Sequence, residues 1–272
     1  MAGPRLYRPR PPLAEHIEYF GYWERGSAIG AHTSRALPRG AATVIIDVGD
    51  GNDLGFYAAD GGTRLSVPPA FLVGPGVASY ITRVQATQTV MTIHFRPAGA
   101  QPFVGCPLGE LEDTCAGLAD LWGSDADLLL DQLVETRSAR RRVDLVETFL
   151  LHRMRSQYVP ARSEVASVIV AAEQNPSMRV SKARDFTGLS AKRFNAVFRS
   201  RVGLSPKAYL RVRRLQAALR ALDAAAPGAR IAADLGYFHQ AHFVREFQAF
   251  AAITPTHYVQ RRSSMPGHVA LR

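Results

Sequence analysis

The chain has little cysteine, with Cys106 and Cys115 the only two in 272 residues. That excludes a disulfide framework and a four-thiolate zinc site. With no basic cluster beside them, the two read as ordinary half-buried thiols rather than redox switches. No apolar run approaches the ~18 residues that a membrane span requires. Met1 to Arg10 holds arginines and prolines instead of an apolar core, so it does not read as a secretory signal. A phosphate-cradling glycine loop ending in Lys-Ser/Thr is missing, and no Cys-His or Ser-His-Asp nucleophile set follows from spacing. Before residue 150 the histidines His16, His32 and His94 stand alone. A cupin metal site needs several histidines and a carboxylate, commonly with two histidines one residue apart. The expectation is a cytoplasmic protein that is not an enzyme and has no metal and no cofactor.

Lysine is absent from residues 1–160, where 15 arginines meet 17 carboxylates; residues 161–272 hold 18 Lys+Arg against 6 Asp+Glu. The net charge of +10 therefore resides entirely in the last two-fifths of the chain. Such asymmetry points to a polyanionic partner for one domain. Nucleic acid and an anionic membrane surface are the two classes, and the second wants an exposed Trp/Leu stripe that the basic segments lack.

The first hundred residues read as β-rich. Val44 to Val48 ends at the turn cluster Gly49 to Asn52, Phe71 to Val73 ends at Gly74-Pro75-Gly76, and Tyr80 to Val84 follows. In Val90 to Phe95, Met91, Ile93 and Phe95 share one face, while Thr92 and His94 share the other, where His94 reads as a wall residue. Short strands between Gly/Pro turns fit an antiparallel sandwich or small barrel. Helical spacing then covers Asp125 to Thr136 and Val143 to Met154, with Arg137 to Arg142 as a charged turn on a solvated face or an interdomain contact. Tyr158-Val159-Pro160-Ala161 marks a boundary.

The remainder is helical and repeats itself. An offset of 49 aligns Ala183 with Ala232, Asp185 with Asp234, Phe194 with Phe243, Phe198 with Phe247, Pro206 with Pro255 and Tyr209 with Tyr258. A fixed period signals a repeated supersecondary unit. Each copy has a short helix, a glycine turn and a second helix whose phenylalanines, four apart, face the core. Ser190, Ser205 and Thr254 read as N-caps, the last two before an N1 proline. His239 takes the N-cap place in the second copy, which with His242 beside the core argues against a metal pair. Pro206 to Asp223, with Tyr209, Val212, Leu215, Leu219 and Leu222 in one stripe, makes a spacer about 27 Å long. That is near the ~34 Å between successive major-groove segments on one duplex face. Opposite the core faces stand Lys192, Asn195 and Arg199, then Gln240 and Arg245. These side chains can donate to purine edges or phosphates. Arg213 and Arg214 add candidate phosphate contacts.

Residues 163–262 resemble the DNA-binding domain of AraC/XylS-type transcriptional regulators, which joins two helix-turn-helix units by a long helix. The most specific stretch is Ile231-Ala-Ala-Asp-Leu-Gly-Tyr-Phe-His-Gln-Ala-His-Phe-Val-Arg-Glu-Phe with Ile253-Thr254-Pro255 and Tyr258. Ala252 stands where that family usually has glycine, and Ala196 where it commonly has a polar residue. By position, the resemblance implies DNA contacts at Lys192, Asn195, Gln240, Ala241 and Arg245, with Arg193 and His242 flanking the core phenylalanines. Leu37 to Gly40, Phe95 to Ala100 and Leu118 to Gly123 resemble the N-terminal domain of one subset of these regulators. A cupin-like sensor or dimerisation domain is implied there.

The expected protein is an α+β two-domain transcription regulator. Residues 1–158 form a cupin-like antiparallel β-barrel with a helical hairpin near 125–154, residues 159–262 a double helix-turn-helix domain, and residues 263–272 a flexible tail. Double-stranded DNA is the expected partner. RNA polymerase, an unidentified small-molecule effector and a second copy of the chain are further candidates. The competing class is a metal-dependent cupin-type enzyme or sensor fused to a basic domain.

Overall fold

The computed structural model describes residues 4–24, 26, 31–49, 54–157, 165–263, 265 and 267–271. Asp50 to Asn52 of the expected turn cluster, and the expected boundary at Tyr158 to Ala161, lie outside the described residues. The chain begins with strands β1 (Arg5–Tyr7), β2 (Ile17–Trp23), β3 (His32–Ala36), β4 (Thr43–Asp47), β5 (Gly55–Tyr57), β6 (Ala70–Val73), β7 (Tyr80–Val84) and β8 (Val90–Phe95). Helix α1 (Gln101–Val104), a 3-10 turn (Leu108–Leu111), β9 (Cys115–Gly117) and helices α2 (Leu118–Trp122), α3 (Ser124–Glu135) and α4 (Ala139–Gln157) follow. The last part contains α5 (Ala166–Gln174), α6 (Val180–Asp185), α7 (Ala191–Val202), α8 (Pro206–Asp223), α9 (Gly228–Asp234), α10 (Gln240–Ala251), α11 (Pro255–Arg261) and β10 (His268–Leu271).

The four runs read as strands from sequence are β4, β6, β7 and β8. They join two antiparallel sheets, β1-β2-β8-β4-β6-β9 and β10-β3-β7-β5. Alternation along β8 divides its side chains as expected. Met91, Ile93 and Phe95 enter the core shared with Phe103, Trp122, Leu133 and Val146 of the helices, and Thr92 and His94 line the space between the sheets. Across that space Phe56 of β5 meets Phe71 of β6 edge-on at 5.1 Å.

Two expectations are corrected here. Arg140 to Arg142 are helical, not a turn, and Arg142 is only 7% exposed. Its Nε donates to the Leu133 carbonyl (2.8 Å) and its Nη1 to the Tyr22 hydroxyl (2.7 Å), so it clamps α3 and α4 onto β2 from within the domain. A buried guanidinium is tolerated because its donors are satisfied. Nor are residues 263–272 a flexible tail throughout. His268–Leu271 pairs antiparallel with Ala36–Thr33 of β3, and Val269 is fully buried. The pairing covers an otherwise open sheet edge.

In the helical part α8 spans the residues read from sequence, and its whole expected stripe is buried. The Ser190, Ser205 and Thr254 hydroxyls accept from the backbone N–H groups of Arg193, Ala208 and His257. Each such cap contributes about 1 kcal/mol. Phe194, Phe198, Phe243, Phe247, Tyr209 and Tyr258 form one core with α5, and Leu37 of the N-terminal part completes it.

Three contacts among the described residues join the two parts. Gly40 lies against Tyr209 and Val212, where a Cβ would stand 3.2 Å from the tyrosine ring, and Gln216 Nε2 donates to the Pro38 carbonyl at 2.7 Å. The 3-10 turn abuts the end of α7, so that a Cβ on Gly109 would sit 2.9 Å from the Arg199 carbonyl oxygen and one on Gly203 2.6 Å from Pro75. The third contact is β10 on β3.

Candidate nucleic-acid interface

Both repeated units fold as helix, turn and helix, α6–α7 and α9–α10, with α8 between them. In the first, Lys192, Arg193 and Asn195 are exposed on α7. The Asn195 amide is tied back to the Ala191 carbonyl at 2.9 Å. Arg199 continues the stripe of Lys192 and Asn195, but its Nη2 lies 2.6 Å from Glu112 Oε2, an ion pair lacking hydrogen-bond alignment. The structure thus engages Arg199 with the N-terminal part and brings Lys192, Arg193 and Asn195 together without it.

In the second unit, Gln240, Ala241 and Arg245 are exposed on α10 and His242 is half-buried. The α10 N-cap is His239, as the repeat implies; its Nδ1 accepts from the His242 N–H at 3.0 Å, so this nitrogen carries no proton in that arrangement. His242 rests edge-on against Tyr237 at 5.5 Å, consistent with a core-flanking role. Gln240 leans on the start of α9, where a Cβ on Gly228 would stand 3.1 Å from its Nε2.

Glu246, with a side chain 8% exposed, receives Arg211 Nε at 2.7 Å and stands 3.9 Å from Arg214 Nη1, pinning α10 to α8. The neighbouring Arg245 makes no hydrogen bond or ion pair with the described residues. Arg213 pairs with Glu173 at 3.3 Å and is largely covered, and Arg214 packs over the Tyr237 ring, so neither is free for phosphate here. Sequence reading missed Arg179 and Lys207. With Arg211, Arg214 and Arg245 they line one groove of about 550 Å³ between the units, where Glu246 is the lone carboxylate among the lining residues. Their only sequence signal is the basic balance of the C-terminal part; α6 packing against α8 is what gathers them.

A cavity of about 270 Å³ lies beside the domain contact, with Ala36 to Arg39, Ser79, Tyr80, His94, residues 113–115 and His268 in its wall. His94 is a buried wall residue, as its strand position implies. Arg39 Nη1 donates to His94 Nδ1 (2.8 Å), placing the ring proton on Nε2, 2.9 Å from Thr92 Oγ1. Burial pushes His94 well below the ordinary imidazole range, and the nearby charges of Arg39 and His268 act in the same direction. Tyr19 stacks on the ring at 4.3 Å, and Glu18 pairs with Arg39 from outside.

Residues 185–261 match a family described as a helix-turn-helix domain. Residues 5–117 match a domain of unknown function. No curated protein matches the chain. Among solved structures, ToxT from Vibrio cholerae in a crystal form at 1.65 Å is similar at 10% identity and a TM-score of 0.49, covering 89% of this chain and 98% of that one. ToxT of strain SCE256 with a bound unsaturated fatty acid is similar at 10% identity and a TM-score of 0.46, covering 88% and 94%. The matched residues agree with the doubled bihelical unit read from sequence, and residues 185–261 of this chain hold a helix-turn-helix domain.

Proposed function

We propose that this chain is a sequence-specific transcription regulator, reading a duplex through Lys192, Arg193 and Asn195 of the first unit and Gln240, Ala241, His242 and Arg245 of the second. In this reading a small molecule in the N-terminal cavity sets how firmly the first unit is held. The domains are residues 1–158 and 159–262, with His268–Leu271 returning to the first.

The observation that carries the reading is that the segments lining the cavity also touch the DNA-binding domain. Leu37 lines the cavity and completes the helical core. Asp113, Thr114 and Cys115 line it directly after Glu112, which pairs with Arg199. His268 lines it at the head of the strand that follows α11. A ligand that fits two cavity shapes unequally therefore shifts the balance between two placements of the DNA-binding domain. In the arrangement described, Glu112 and the 3-10 turn occupy the C-terminal end of the Lys192–Asn195–Arg199 stripe. Releasing them returns one cation to the duplex-facing set.

The test is selection of duplexes from a random library by the full chain, with and without a metabolite extract. An enriched sequence, an extract-dependent change in retention and a log–log salt slope near −0.9 per phosphate neutralised support the reading. Equal retention of all sequences, or a flat salt response, refutes it.

A further inference from the structure

We infer that Phe238 contacts bases in the second unit's site, packing on the 5-methyl group of a thymine; the inference rests on the DNA-reading role proposed above. Among the described residues Phe238 is the most exposed large hydrophobic side chain, at 89%. The repeat explains why. In the first unit the left-handed glycine, Gly188, is followed by one residue, Leu189, before the N-cap Ser190, and Leu189 packs against the core. In the second, Gly236 is followed by two residues, Tyr237 and Phe238, before the N-cap His239.

A hydrophobic residue ahead of the N-cap normally staples the helix start to its own first turn. With the glycine one place earlier, Tyr237 takes that part. It is buried and lies 5.4 Å from Phe243. Phe238, which the offset of 49 aligns with Leu189, is left outside. Its one ring contact among the described residues is edge-on to His239 at 5.6 Å.

Phe238 stands at the end of α10 that begins with Gln240 and Ala241, and it is this end of a recognition helix that contacts base edges in the major groove. A phenyl ring has no donor or acceptor, so neither phosphates nor the polar edges of purines are its partner. The apolar group that the groove offers is the thymine methyl.

The experiment takes duplexes selected by the full-length chain and replaces each thymine in turn by uracil, which deletes only the methyl. One replacement is expected to weaken wild-type binding about 4-fold, the worth of one buried methyl. Phe238→Ala should bind the thymine and uracil forms equally, Phe238→Leu should keep part of the preference, and neither should lower the melting temperature. A flat uracil scan for wild type, or the same thymine preference in Phe238→Ala, overturns the inference. So does a uniform loss on every duplex, which would mean packing on the sugar-phosphate backbone. A library that yields no enriched sequence overturns the DNA-reading role itself and the inference with it, and that result appears before any uracil scan begins.

Discussion

In the proposed reading, the hold on α7 can be loosened from the N-terminal side. Glu112→Gln removes the carboxylate from an ion pair whose partners are 22% and 59% exposed, Glu112 and Arg199 respectively. A pair screened to that degree contributes about 0.5–1 kcal/mol. Its loss shifts the balance between held and released helices by about 2–5-fold and tightens duplex binding by up to that factor. Gly109→Ala is the steric counterpart. Gly109 lies outside the left-handed region, so its backbone accepts alanine, yet the new Cβ would stand 2.9 Å from the Arg199 carbonyl oxygen and 3.0 Å from its Cγ. Crowding of that kind costs about 1–3 kcal/mol, so α7 should be displaced and binding tightened further. Because both changes act on Arg199, their effects should not add. Anisotropy titrations of one selected duplex at fixed salt measure this, with Glu110→Gln controlling for the lost negative charge. The reasoning is refuted if Glu112→Gln binds no tighter than Glu110→Gln and Gly109→Ala binds as wild type does.

Ala252 adopts φ +54° at the C-terminal end of α10, the place that Gly203 holds in the first unit at φ +91°. The left-handed conformation costs a non-glycine residue about 1–2 kcal/mol, and glycine's extra freedom when unfolded returns about 0.5–1 kcal/mol of that. Ala252→Gly should therefore stabilise the C-terminal domain by about 0.5–1 kcal/mol in urea unfolding; a lower midpoint contradicts this. His94 is held neutral in the fold, whereas an unfolded imidazole takes a proton below about pH 6.5. The unfolded state then binds more protons than the folded one, so N-terminal stability should fall as pH drops below about 6.5, by up to about 1.4 kcal/mol per unit. His16, lowered mainly by burial, adds the same sign. Unfolding between about pH 7 and pH 5 should be less pH-dependent in His94→Gln, and an equal slope refutes the assignment. Arg245→Ala should cost about 1–3 kcal/mol of discrimination at particular base pairs; an equal loss on random duplex would make Arg245 a phosphate contact only.

The doubled unit, its N-caps and the span of α8 were legible because they depend on neighbours within one or two turns of chain. A serine before proline, apolar spacing of three and four, and a left-handed turn are local conditions. Ala252 shows this, since the helix end demands a positive φ whichever residue supplies it. β8 was legible for a similar reason, its alternation sorting a core face from a cavity face. β3 was not. His-Thr-Ser-Arg-Ala carries little apolar signal, and its strand character comes from partners in β7 and β10.

Sequence alone determined that a basic, twice-repeated helical unit follows a β-rich half, because composition and period survive without knowledge of what touches what. Tertiary structure decided which of the exposed cations stay available. Arg142 reaches Tyr22, 120 residues away, and disappears into the core. Arg199 meets Glu112 across the domain contact, while Arg245 remains open beside the anchored Glu246. A side chain's face on its own helix follows from local geometry, but the partner it finds there depends on long-range packing, which no local pattern encodes.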